Sequence, residues 1–186
     1  LILVAYYGTE AYAAYGIGVQ ILSFSSVIGS GFSIAGATLV GQHLGAKNTD
    51  QAKRAGWGAM RLSIISMTFF GIIITIFAEP LARFMIDNDE VVRLTVIFIW
   101  LLGSMQPLMA IEFSLGGALR GAGDTKTPLA ITLTCLLFIR VFLAVIFFLL
   151  DARIEVIFST LVADYVVKGF LYVARFKSDK WMSALK

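Results

Sequence analysis

Long apolar stretches alternate with short polar segments along the whole chain. No Lys, Arg, Asp or Glu occurs between residues 11 and 46, for example. A bilayer core of about 30 Å needs roughly 20 apolar residues in a helix, and these stretches lack the period-2 alternation of a membrane β-barrel. The pattern predicts an all-α, polytopic transmembrane bundle. A helix remnant at 1–7 precedes spans at about 14–40, 62–78, 94–119, 127–150 and 156–174.

The polar segments between the predicted spans are too short to hold a soluble domain. They lie at 41–61, 79–93, 120–126 and 151–155. We therefore expect residues 1–186 to form one membrane domain. The first residues look like the end of a longer apolar segment, so the chain is expected to be a fragment whose first helix is truncated.

Composition narrows the class further. Hydrophobic residues make up 59% of the chain and charged residues 15%, whereas soluble domains have roughly 45–50% and about 25%. One cysteine and one histidine exclude a disulfide scaffold and predict no zinc site. No P-loop or dinucleotide-binding motif occurs. We expect a protein that is not an enzyme and that has no cofactor or metal site.

The basic residues are distributed unevenly between the two sides of the predicted bundle. Three of them, Arg83, Arg93 and Arg153, fall on one side. Cytoplasmic loops carry the excess of Lys and Arg, so the richer side and the C-terminus are predicted to be cytoplasmic, in the plasma (inner) membrane. The net charge of +3 then reflects topology and not nucleic-acid binding. The richer side carries Lys47, Lys53, Arg54, Arg61, Arg120, Lys126, Arg175, Lys177, Lys180 and Lys186.

Small residues recur every fourth position in the first full span. Such a ladder lets helix backbones approach closely. It fits static packing, and it also fits a surface that slides during transport. The ladder comprises Ser25, Gly29, Ser33, Ala37, Gly41 and Gly45.

The third span contains several candidate functional residues. Pro107 interrupts the helix and is a hinge candidate. Gln106 beside it, and Gln20 in the first span, are expected to be buried amides that bond another helix or line a cavity. Met105 and Met109 share a helix face with Phe113, which suits either core packing or contact with apolar ligands.

Four ionisable residues lie inside predicted spans, where charge is costly and retained for pairing or function. Asp164 and Lys168 are four residues apart and can pair, although Lys168 can also extend toward the cytoplasmic surface. Glu112 has no basic residue within one helical turn. A network of Glu112, Asp164 and Arg140 is expected if the last three helices are neighbours. It would be a structural ion cluster, or a proton or substrate site.

Three stretches then resemble the multidrug and toxic compound extrusion (MATE) transporters. They are GVQILSFSSVIGSGFSIAGATLVGQHLGAKNTDQAKRAGW, GGALRGAGDTKTP and RFKSDKW, in the family's order. The usual tail has glycine where this chain has Asp179. The resemblance implies twelve helices in two six-helix halves, of which this chain is the C-terminal half.

The resemblance also implies export of small organic cations across a lipid bilayer, coupled to H⁺ or Na⁺ antiport by alternating access. The partner would be the N-terminal half of the same protein, and the fragment alone would be inactive. In the Na⁺-coupled branch a carboxylate lies near the position of Met109, so the coupling ion stays open. A related lipid or oligosaccharide flippase, and a non-transporting membrane scaffold, are the alternatives.

Overall fold

The computed structural model describes residues 9–150 and 154–183, and no strand occurs among them. The predicted all-α class is confirmed. The predicted remnant at 1–7 lies outside the described residues. The elements are α1 Thr9–Gly45, α2 Thr49–Ile76, α3 Ala78–Met85, α4 Asp89–Gly121, α5 Lys126–Thr134, a π-helical segment Cys135–Val141, α6 Phe142–Leu149, α7 Ile154–Lys177 and a 3₁₀ turn Lys180–Ser183.

Four of the described helical stretches are long and apolar enough to cross a bilayer. They contain or largely overlap the first four predicted spans, with the fourth running from α5 through the π segment into α6. The fifth predicted span, 156–174, lies within α7, and its crossing of the membrane stays a prediction. The four stretches are Tyr12–Gly45, Thr49–Ile76, Asp89–Gly121 and Lys126–Phe147.

The prediction of a polar loop at 41–61 was wrong, because most of this segment is helical. Helix α1 continues to Gly45 and ends in a Schellman motif, in which Lys47 is left-handed with φ 57°. The Asn48 side chain then accepts a hydrogen bond from the Gln51 N–H and caps α2. The hydropathy of the sequence indicates where a helix enters lipid, whereas capping residues indicate where the helix itself begins and ends.

The predicted loop at 79–93 is also largely helical. It contains the short helix α3, and α4 already begins at Asp89. Ala78 and Ala82 are the buried positions of α3. Asn88 accepts hydrogen bonds from the N–H groups of Glu90 and Val91, which fixes the start of α4.

Helix α4 is the centre of the bundle, and α1, α2 and α7 pack around it. The small-residue ladder of α1 meets a matching pair of glycines on α4. A Cβ atom on Gly117 would lie 2.1 Å from the Ser33 carbonyl oxygen, and one on Gly121 would lie 2.1 Å from the Ala37 carbonyl oxygen. The ladder therefore packs α1 and α4 in parallel, backbone against backbone.

The other neighbours of α4 follow from similar contacts. Helix α2 runs antiparallel to α4 and crosses it closely where Gly71 faces Gly103. Helix α7 runs parallel to α4, with Gly169 facing Leu108 and Ile111. The outer faces of the helices expose large apolar side chains. Examples are Phe24, Val27, Ile34, Ile65, Phe69, Ile76 and Phe138.

The C-terminal tail closes one end of the bundle. The ring of Phe176 fills the notch at Gly56 on α2 and stacks on Trp181 at a centroid distance of 4.6 Å. Asp179, at the position where the tail it resembles has glycine, is left-handed with φ 57° and pairs with Lys53 at 2.6 Å. Aspartate tolerates this conformation better than most residues, so the tail keeps the turn that glycine would provide.

The contact between α1 and α4 generates a stability prediction. In the full-length protein, Gly117→Ala should lower stability by about 1–3 kcal/mol, because the added methyl group forces two backbones apart. Thermal unfolding in detergent measures the change. Gly58→Ala is the matched control, since nothing lies within 4 Å of its Cβ position. Equal melting temperatures for the two variants would contradict the described packing.

Candidate functional site

A buried ion cluster lies between α4 and α7 and consists of Glu112, Asp164 and Lys168. The Lys168 ammonium nitrogen lies 2.9 Å from Asp164 Oδ2 and 3.7 Å from Glu112 Oε2. The predicted pairing of Asp164 with Lys168 is confirmed. Glu112 has no basic residue within one turn of its own helix, and Lys168 reaches it from the neighbouring helix. Lys168 is buried and does not extend to the surface.

The cluster is held by the parallel packing of α4 and α7. Glu112 lies one turn beyond Leu108, and Lys168 precedes Gly169, the residue that faces Leu108. This register places the two side chains together. Cys135, the first residue of the π segment, is buried. The Lys168 ammonium nitrogen lies 5.0 Å from the ring centroid of Tyr165. A cation over an aromatic face is stabilised by the ring quadrupole.

The carboxylates of the cluster are incompletely hydrogen-bonded. Both Asp164 oxygens and Glu112 Oε2 are buried and accept no hydrogen bond from the described residues. The close approach of Lys168 to Asp164 is thus an ion pair without hydrogen-bond geometry. Buried polar groups are nearly always satisfied in folded proteins. Lys168 approaches Glu112 less closely than Asp164, so Glu112 Oε2 is the acceptor that can take up a further proton or cation.

Arg140 does not join this cluster. It lies on the π segment, half-buried, within electrostatic range of Tyr165. Among the described residues it forms no ion pair with Glu112 or Asp164. The expected network of Glu112, Asp164 and Arg140 is therefore corrected: the structure joins the two carboxylates through Lys168.

The two glutamines of the spans have different environments. Gln106 is fully buried and donates a hydrogen bond from Nε2 to Ser25 Oγ at 2.6 Å, while its Oε1 has no partner among the described residues. It links α1 to α4. Gln20 is exposed on α1, so the expectation that it is a buried amide was wrong within this half.

Met109 and Pro107 lie on opposite sides of α4. Met109 is 1% exposed and belongs to the core with Met105, so the methionine stripe serves packing. Pro107 is half-buried inside the continuous helix. It lines a groove of about 370 Å³ between α2 and α4, with Trp100 and Gly103 on the same wall. Whether Pro107 acts as a hinge stays a prediction.

A second charged arrangement lies at the end of the bundle that carries the tail. In the turn after α4, Gly123 is left-handed with φ 83°, and Asp124 follows. Asp124 Oδ1 accepts hydrogen bonds from the N–H and the hydroxyl group of Thr127, and Oδ2 accepts two from Arg175, at 2.9 and 2.6 Å. We call Asp124, Thr127 and Arg175 the loop lock, because it ties the α4–α5 turn to α7.

The electrostatics of the loop lock show that Asp124 is held ionised. Burial acts to raise the pKa of this carboxyl group, but hydrogen bonds from Thr127 and Arg175 outweigh burial and place the pKa below its ordinary value. The GAGDTKT stretch thus encodes a helix stop, a cap for α5 and an ion pair.

Sequence reasoning missed some residues that the structure makes important. Lys168 was considered only for Asp164, and the register between α4 and α7 that brings it to Glu112 leaves no local signal in the chain. Asp124 had a readable signal, because an acidic residue three positions before a helical threonine is a capping pattern. Ser25 was read only as a small residue, although its hydroxyl group accepts the hydrogen bond from Gln106.

Comparison with known proteins gives consistent matches. A MatE family model matches residues 1–146. The probable multidrug resistance protein NorM of Thermotoga maritima is 34% identical over 183 residues, which cover 94% of this chain and 38% of that protein. NorM of Mannheimia succiniciproducens is 30% identical over 128 residues, 69% of this chain and 28% of that protein. Probable multidrug resistance protein YoeA of Bacillus subtilis is 32% identical over 108 residues, 58% of this chain and 22% of that protein.

The loop lock generates a pH-dependent stability prediction. Asp124→Asn should cost about 1–3 kcal/mol at neutral pH, because Arg175 loses a charged acceptor. Since the folded-state pKa is lowered, this difference is present above the unfolded carboxyl pKa of about 3.9 and is lost as the pH falls through the folded value. Melting curves of the full-length protein across pH measure it, with exposed Asp87→Asn as the control. A pH-independent difference would exclude the ionic contribution.

Proposed function

Because the chain belongs to the MATE (MatE) family, we propose that the full-length protein is a secondary active multidrug exporter of small organic cations. Transport would be coupled to antiport of H⁺ or Na⁺ by alternating access. The observation that carries this proposal is the buried ion cluster, which holds two carboxylates and one ammonium inside an apolar bundle. The relatives are named probable multidrug resistance proteins, which supports a multidrug exporter.

The chain spans 38% of the length of the Thermotoga maritima relative. A family transporter has two halves, so we propose that an N-terminal half completes the transport pathway and that this chain alone does not transport. The exposed Gln20 on α1 suits a surface that faces that half. The exposed apolar faces suit the lipid of a plasma (inner) membrane.

Glu112 is the best candidate for the coupling residue. Its side chain is 19% exposed, whereas Asp164 is fully buried. Lys168 also lies closer to Asp164 than to Glu112. A proton and an organic cation would then compete for the same carboxylate, which is the simplest scheme for antiport.

The proposed orientation has its own test. The α1–α2 turn, the α4–α5 turn and the tail share one end of the bundle, as the contacts of Lys53 with Asp179 and of Arg175 with Asp124 require. The excess of basic residues at this end predicts that it is cytoplasmic. Single cysteines replacing exposed Ala46 and Asp87, in a Cys135→Ala background, avoid the two capping asparagines. An impermeant maleimide on intact cells should label position 87 and not 46; the reverse pattern would invert the orientation.

The coupling role of Glu112 is tested in full-length protein in liposomes. Glu112→Gln should abolish gradient-driven efflux of a cationic dye, because the variant can neither release a proton nor bind the cation by charge. Asp164→Asn should reduce efflux less, since Asp164 lies behind Glu112. Glu112→Asp is the matched control and should retain part of the activity. Wild-type efflux with unchanged pH dependence in Glu112→Gln would reduce Glu112 to a structural residue.

A further inference from the structure

The net charge of the buried ion cluster limits the charge of the substrate more narrowly than the proposed function requires. Glu112, Asp164 and Lys168 carry one net negative charge when all three are ionised. Arg120 lies two turns along α4 and donates a hydrogen bond to Ser33 Oγ at 2.8 Å. Among the residues that the structure describes, the other ionisable side chains that face the cluster are Arg140, which lies toward Tyr165, and the uncharged Tyr165, Tyr172 and Cys135.

The three charges are not equivalent. Lys168 lies 0.8 Å closer to Asp164 than to Glu112, as the distances of 2.9 and 3.7 Å show. Asp164 and Lys168 are also the more deeply buried pair, with side-chain exposures of 0% and 7% against 19% for Glu112. Asp164 and Lys168 therefore neutralise each other on one helix, and Glu112 is the carboxylate left to be compensated from outside.

We propose that Lys168 sets the charge class of the transported substrate by cancelling one of the two carboxylates, so that the cluster accepts one external positive charge. This inference rests on the proposed function and assigns Lys168 as a selectivity residue for monocations. A dication at this position would leave one positive charge uncompensated in a medium of low dielectric constant, where such a charge is costly.

Removal of each charged partner has a distinct consequence. Without Lys168 the cluster carries two open carboxylates and matches a dication. Without Asp164, Lys168 loses its nearer partner and compensates Glu112 in part, so efflux of a monocation falls but is not abolished. Without both, Glu112 is again a single open carboxylate. A purely structural role for the pair predicts instead that loss of both is at least as damaging as loss of Asp164 alone.

The experiment uses full-length protein in liposomes and measures efflux of ethidium, a monocation, and methyl viologen, a dication. Lys168→Met should raise the methyl viologen to ethidium ratio by at least about tenfold. Lys168→Arg and exposed Lys177→Met should leave the ratio unchanged. The double variant Asp164→Asn/Lys168→Met should recover ethidium efflux relative to Asp164→Asn, with rates normalised to folded protein by size exclusion.

The double variant keeps the test decisive if Lys168→Met alone does not fold, because it leaves no uncompensated pair of carboxylates. An unchanged ratio in folded Lys168→Met, or a double variant no better than Asp164→Asn, would overturn the role of Lys168. Absence of ethidium efflux by the wild-type protein would instead overturn the proposed function, so the two failures are distinguishable.

Discussion

Backbone contact between α1 and α4 is the constraint on which the other positions in this half depend. Gly117 and Gly121 allow the carbonyl groups of Ser33 and Ala37 to lie where a side chain would otherwise be. Lipid gives helices no hydrophobic reason to associate, so close packing and hydrogen bonds supply the attraction. Once α4 is fixed against α1, its remaining faces are available to α2 and α7, and the register of α7 brings Lys168 to Glu112.

The two charged arrangements show how differently a fold can use a buried carboxylate. Both oxygens of Asp124 accept hydrogen bonds, from Thr127 and Arg175. These bonds hold the α4–α5 turn to α7 and leave the carboxylate satisfied. Glu112 Oε2 is also buried, yet it accepts no hydrogen bond from the described residues. A satisfied carboxylate rigidifies its surroundings, whereas an unsatisfied one keeps the capacity to respond to a new positive charge.

Much of the architecture could be predicted from sequence because lipid imposes a simple rule on composition. The spans and the α1 ladder follow from apolar length and from four-residue spacing, and the Asp164–Lys168 pair follows from helix periodicity. Polar helical ends, such as the first turns of α2, were missed because hydropathy reports burial in lipid and not helicity. The contact between Glu112 and Lys168 was missed because the register between two helices depends on packing, which a single sequence does not encode locally.

The π segment has a consequence for the geometry of the helix that carries Arg140. A π turn contains an extra residue compared with an α turn, and each α-helical residue advances the side-chain direction by about 100°. The segment Cys135–Val141 therefore offsets the faces of α6 from those of α5. The helix nevertheless remains continuous from α5 through the π segment into α6. Loss of the extra residue would rotate the faces of α6 by about 100° relative to those of α5, so different side chains of α6 would face α7.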